Sequence, residues 1–356
     1  MKLIRLVLLL VIWAAQPFSV NAQTSRLDSL DAFVNEQMAI RHIRGLSIAV
    51  IQDGRIVVAR GYGAVDETSG AKVTPTTLFQ AGSISKPVAA LGALHLVEAG
   101  RLALDSDVNA VLTSWHVPEN AFTAREKVTL RRILSHNAGL TVHGFPGYDV
   151  AQPMPTLVQV LDGAAPANTA PIRVDTTPGS IWRYSGGGFT VMQQMIIDVS
   201  GMSFPQYMEQ TVLAPIGMTN SSFQQPQPPE RAVLTASGYY ADRSPVKGRW
   251  HVYPEMAAAG LWTTPTDLAR FAIEVHDAFA GRGHGVISPS MARQYLTTQA
   301  GSSGLGIGVQ GSGKTLSYSH GGRDEGFDAQ LFAYAGSGDG VAIMINANDN
   351  SRFMRR

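Results

Sequence analysis

The sequence predicts an α/β protein of the α+β type: one antiparallel β-sheet built from both chain ends, flanked by helices, with a mainly helical region inserted between. Two patterns and the composition carry this expectation. Strand-like runs cluster at residues 46–59 and again at 305–346, and the longest apolar helical pattern lies between them, from about Ser83 to Gly100. Hydrophobic residues make up 45% of the 356 residues and charged residues 15%, too apolar for a disordered chain or a coiled coil. The sheet part is expected at about 23–82 and 255–356 and the helical part at about 83–254, in one domain behind a leader of residues 1–22.

The leader comes first. Lys2 and Arg5 give a positive start, residues 6–15 are an unbroken apolar run of ten, and Val20-Asn21-Ala22 offers a small residue before a cleavage point at Gln23. Ten apolar residues are too few to span a bilayer, which needs about 20. The pattern is that of a secretory signal peptide, so the mature chain is expected to be periplasmic or secreted, with no membrane span. Leu27, Leu30, Val34 and Met38 then form one stripe of a helix ending near Gly45. Residues 46–51, the pair Asp53-Gly54 and residues 56–59 read as strand, tight turn and strand. A second, strongly apolar helix follows from Ser83. Residues 101–250 alternate short helical pieces, such as 157–161 and 191–199, with Pro-, Gly- and Gln-rich loops. Thr264-Pro265-Thr266-Asp267 marks a helix start, with a Thr cap, a Pro at the first position and an acid in the first turn. Strands return at 305–310, 315–319, 329–335 and 341–346.

Composition and spacing also exclude function classes. Lys and Arg number 28 against 27 Asp and Glu, and loss of the leader would leave 26 against 27, so the basic excess of a nucleic-acid binder is missing. The absence of cysteine excludes thiolate catalysis, a disulfide scaffold and a Cys-ligated metal. The nine histidines form no paired-His helix motif, and no metal or other cofactor is expected. Residues 308–315 match GxxxxGK[ST], and residues 306–311 match GxGxxG. Both patterns need a following helix whose amides hold the phosphate. Here residues 316–319 alternate like a strand, so Gly311-Ser-Gly-Lys314 is expected to be a hairpin turn and no nucleotide is expected as a partner.

The chemistry-bearing pattern is Ser-x-x-Lys. It occurs at Ser69/Lys72, Ser83/Lys86 and Ser244/Lys247, and only Ser83 opens a long apolar helix. At i and i+3 the hydroxyl and the amine share a helix face. A partly desolvated lysine loses basicity and can take the serine proton. An N-cap serine followed by a solvated lysine has the same sequence, so the motif alone leaves both readings open. Two further segments bear on the choice. Trp182-Arg-Tyr184-Ser-Gly186-Gly-Gly188 puts a tyrosine on a glycine-rich turn, where its phenol can relay protons. His320-Gly321-Gly322-Arg323 ends a strand, where glycines let a substrate lie against the edge and an amide can face an oxyanion.

Ser83-Ile-Ser-Lys86, Tyr184-Ser-Gly186 and His320-Gly-Gly322, in this order, resemble the serine β-lactamase and penicillin-binding-protein superfamily, most closely its class C-like branch, peptidase family S12. The segments 79–83, 133–140, 215–218 and 259–271 resemble family segments as well. The resemblance implies an acylated nucleophile at Ser83, a general base at Lys86 and a proton relay at Tyr184. It implies an oxyanion hole from the amides of Ser83 and Arg323, and substrate contacts at His320, Gly321, Gly322 and Gly186. Gly186 stands where many members have Asn, so a side-chain contact to the substrate amide is lost. His320 stands where Lys is commoner, so a fixed anchor for a β-lactam carboxylate is weakened; Arg183 and Arg323 are the candidates to replace it. Members usually continue into a long C-terminal helix, whereas this sequence stops at Arg356. The expected function is a secreted serine hydrolase of an ester or peptide-like amide. A class C-type β-lactamase and a penicillin- or peptidoglycan-binding receptor without turnover are the alternatives.

Overall fold

A computed structural model describes residues 18–351 and 353–355. Most of the expected leader, residues 1–17, lies outside the described residues. The first described element is helix α1, Phe18–Arg41. The described residues fall into two units, one ending at Arg41 and the other beginning at His42, and all the elements below belong to the second. Among the described residues no helix is long and apolar enough to cross a membrane.

Six strands form the sheet: β1 (Gly45–Gln52), β2 (Arg55–Gly63), β3 (Gly308–Gln310), β4 (Ser317–Asp324), β5 (Phe327–Tyr334) and β6 (Gly340–Ile345). Their order is β2-β1-β6-β5-β4-β3, every neighbour antiparallel. The two chain ends meet in the middle, with Leu46 opposite Ile345 and Val50 opposite Val341. The β1–β2 hairpin closes through Asp53 and Gly54, both at positive φ (51° and 69°), the backbone a two-residue turn requires.

Helix α2 (Ser85–Glu98) is apolar all round and is buried along most of its length, as such a helix must be. It packs against α3 (Gly186–Ser200) and α4 (Met256–Ala259). Helix α5 (Pro265–Phe279) lies across β1, β2 and β6. It starts where the sequence indicates: Thr264 Oγ1 accepts from Asp267 N at 3.1 Å, with Pro265 at the first position.

Three local expectations need correction. Ser83 precedes α2 instead of opening it, on a separate 3-10 turn, Gly82–Ile84. Glycines 186–188, expected in a glycine-rich turn ahead of the helix, are the first turn of α3 itself. The expected strand 305–310 shrinks to β3, and β4 runs on to Asp324, so His320–Arg323 lies within a strand and does not end one. As expected, the phosphate-loop look-alike connects two paired strands: it leads from β3 through a 3-10 turn, Gly313–Thr315, into β4.

Candidate active site

The turn carrying Ser83 is pinned from both sides. Ile84 N donates to Ala81 O (3.1 Å), and Ala81 N donates to Leu261 O (2.9 Å). The buried Ser85 hydroxyl donates to Gly82 O (2.6 Å) and accepts from Leu261 N (2.9 Å). Gly82 has φ +51°, and a Cβ there would stand 2.5 Å from Arg323 N. A Cβ on Gly322 would stand 1.8 Å from Ala81 O. Only glycine at both positions lets β4 press its backbone against the Ser83 turn. That contact sets the Arg323 amide beside the start of α2.

Lys86, 1% exposed, projects from the first turn of α2. Its Nζ donates to Ser83 Oγ at 3.0 Å and to the carbonyl of Ala258 in α4 at 2.8 Å. It also stands 4.9 Å from the centroid of the Tyr184 ring and 5.8 Å from that of Phe189. At this distance the hydroxyl can turn to donate to the amine once the amine is neutral, and so pass its proton directly.

Tyr184 immediately precedes Ser185, the cap of α3, whose Oγ accepts from Gly188 N at 2.9 Å and donates to Thr141 O at 2.8 Å. Three histidines surround the phenol ring: His136, His143 and His320, with centroids 4.3, 4.9 and 6.2 Å away. Burial holds His136 well below the ordinary imidazole range, helped by Lys86, His320 and His143. Its Nδ1 accepts from Ser185 N (3.2 Å), which fixes the neutral tautomer with hydrogen on Nε2. The loop holds His136 at φ +59° and Val142 at φ +62°, a strained backbone that surrounding contacts such as Arg183 N to His136 O (2.7 Å) over-determine.

These groups open onto one cavity of about 830 Å³, lined by Ser83, Lys86, Tyr184, His320, Gly321, Gly322 and Arg323, with Trp182, Phe145 and Met354 on its apolar side. Gly186 is not among the lining residues. It is buried in the first turn of α3, its N–H donating to His143 O at 3.0 Å. The two other Ser-x-x-Lys matches line no part of this cavity; Ser69 bonds to Asp66 and Lys247 to Asp149.

Neither arginine considered as a carboxylate anchor is available. Arg323 Nε and Nη2 each donate to the buried Asp328 carboxylate at 2.6 Å, and Arg183 is bonded to Asp175 and to the carbonyls of Gly139 and Leu140. Sequence reasoning gives no role to Ala258, His136 or Glu255, and reads Asp324 as a turn acid; Asp324 instead ends β4, buried, in the lining of the cavity, and Glu255 is buried as well. The side-chain oxygens of both acids lack a hydrogen-bond partner. Burial pushes Glu255 up to about 8, and Asp324 well above the carboxylate range against the pull of Lys86 and the Gly82 N–H.

The Beta-lactamase family model matches residues 30–356. Protein flp of Staphylococcus aureus (strain N315) is 27% identical over 250 residues, which are 67% of this chain and 45% of that protein, so the chain spans less than half the length of this relative. Penicillin-binding protein 4 of Amycolatopsis lactamdurans is 26% identical over 330 residues, 88% of this chain and 83% of its own. The octameric penicillin-binding protein homologue from Pyrococcus abyssi superposes with a TM-score of 0.74 at 25% identity, over 90% of this chain and 73% of that one. With a sheet built from both chain ends, a Ser–Lys pair at the start of the buried helix and a family match over nearly the whole length, the chain belongs to the Beta-lactamase family.

Proposed function

We propose that the protein is a secreted serine hydrolase that cleaves an ester or peptide-like amide through an acyl-enzyme on Ser83. The observation that carries this reading is the 3.0 Å contact between Ser83 Oγ and the buried Lys86 amine. Ser83 Oγ attacks the substrate carbonyl carbon and its proton passes to Lys86. The amides of Ser83 and Arg323 receive the developing oxyanion. Collapse breaks the bond to the leaving group, which takes the proton from Lys86 by way of the Tyr184 phenol. Water then attacks the acyl carbon, its proton returns along the same groups, and Ser83 leaves as the hydroxyl. The neutral His136 and the aromatic packing around Tyr184 hold the phenol in place without adding a charge.

Intact-mass analysis after exposure to a fluorophosphonate and to a penicillin tests this, with Ser83→Ala alongside. One fluorophosphonate adduct on the wild type and none on the variant is the expected result; no adduct on the wild type sinks the reading. A second reading is a penicillin-binding receptor, favoured by the names of the Amycolatopsis and Pyrococcus relatives. A penicillin adduct that persists for hours would select it, and rapid penicillin turnover would select a β-lactamase.

A further inference from the structure

We propose that the β4 wall of the cavity selects an uncharged leaving group, so that the substrate is a neutral ester or amide and not one ending in a carboxylate. This rests on the reading of Ser83 as the acyl acceptor and adds the substrate's charge to it. A carboxylate entering this cavity loses water and needs a cation with open donors in exchange.

The arginine and the lysine that line the cavity are already committed. The Arg323 guanidinium is held by both Asp328 oxygens at 2.6 Å, by Asn350 Oδ1 at 3.0 Å and by the Asp349 carbonyl at 2.8 Å. Asp328 is 5% exposed, so drawing Arg323 away would strand a buried carboxylate. Lys86 is engaged by Ser83 and Ala258. The His320 Nδ1–H donates to the Gly321 carbonyl at 2.6 Å, so in the neutral ring Nε2 is an acceptor and offers a carboxylate no hydrogen. Asp324, Asp328 and Asp349 line the same cavity, together with His143 and the apolar Phe145 and Trp182, the last 46% exposed. Apart from the backbone amide proposed for the oxyanion, the side chains of this wall present acceptors and self-paired charge, which do not favour a carboxylate.

The test compares two substrates that differ only in leaving-group charge: the phenylacetyl esters of 3-hydroxybenzoic acid and of its methyl ester. kcat/KM at pH 7 is divided by each ester's hydroxide hydrolysis rate. The expected result is a preference of at least about tenfold for the methyl ester. Equal values, or preference for the free acid, would overturn the inference. Asp328→Asn, which unties Arg323, and His320→Lys, which adds a cation to the same wall, should each narrow the preference; active variants that leave it unchanged would also overturn it. If neither ester acylates wild-type Ser83, the hydrolase reading falls and this inference with it, a result distinct from acylation without discrimination.

Discussion

Replacing Glu255 with glutamine isolates the cost of burying an acid behind the candidate site. Glu255 is fully buried and precedes α4, where its carbonyl accepts from Ala258 N (3.0 Å) and Ala259 N (2.9 Å), so its backbone helps place the carbonyl that holds Lys86. Neither carboxyl oxygen has a hydrogen-bond partner, and burial raises the carboxyl from 4.5 to about 8 against the pull of its own backbone N–H. A raised acid binds its proton more tightly in the folded than in the unfolded chain. This contribution to stability is therefore undiminished below pH 4.5 and is lost as pH rises toward 8, at about 1.4 kcal/mol per pH unit. The loss is about 3 kcal/mol at pH 7 and about 5 kcal/mol above pH 8. Glutamine is neutral throughout and nearly isosteric. Glu255→Gln is expected to match the wild type near pH 4.5 and to gain stability over it by those amounts as pH rises. Urea unfolding between pH 4.5 and 9 measures both curves. Parallel curves would show that the buried carboxyl ionises at no cost, and the prediction would fail.

Other substitutions probe the rest of the site. Gly322→Ala places a Cβ 1.8 Å from Ala81 O and is expected to cost about 3 kcal/mol by denaturant unfolding and to lower the acylation rate with it, since β4 must withdraw from the Ser83 turn. Ser185→Ala removes the α3 cap and its bond to Thr141 O; a loss of about 1–2 kcal/mol is expected, read by thermal unfolding. Asp324→Asn should, like the Glu255 change, stabilise the protein progressively as pH rises above the ordinary carboxylate range, because Asp324 is also raised by burial; a pH-independent effect would contradict it.

Legibility in the sequence tracked the range of the interaction. Asp53-Gly54 and Thr264-Pro265 were readable because a turn and a cap are set by adjacent residues, and both are where the sequence places them. Sheet assembly from both ends was readable because strand and helix periods differ. The glycines were visible, but what each avoids was not. Gly82 and Gly322 are required by close approaches between residues 241 positions apart, Gly82 to Arg323 and Gly322 to Ala81, so a motif that looks like a strand end is a strand interior. Likewise Gly186 and Gly187 are small because the carbonyls of His143 and Thr141 approach the first turn of α3, not because the chain is a loop there. Arg323 looked like a spare cation because its partner is fixed by the β4–β5 register, Arg323 opposite Asp328. Ala258, His136 and the buried acids carry no local signature; only the packing of α2 against α4, and of the Ser83 turn against β4, brings Ala258 and Asp324 near Lys86.

Peptide mapping of the fluorophosphonate adduct, with its rate of formation in the wild type and in Lys86→Ala, tests the pairing of hydroxyl and amine most directly. The adduct should fall on the peptide containing Ser83, and the variant should form it about a thousandfold more slowly while remaining folded. An adduct on another residue, or an undiminished rate without the amine, would contradict the account.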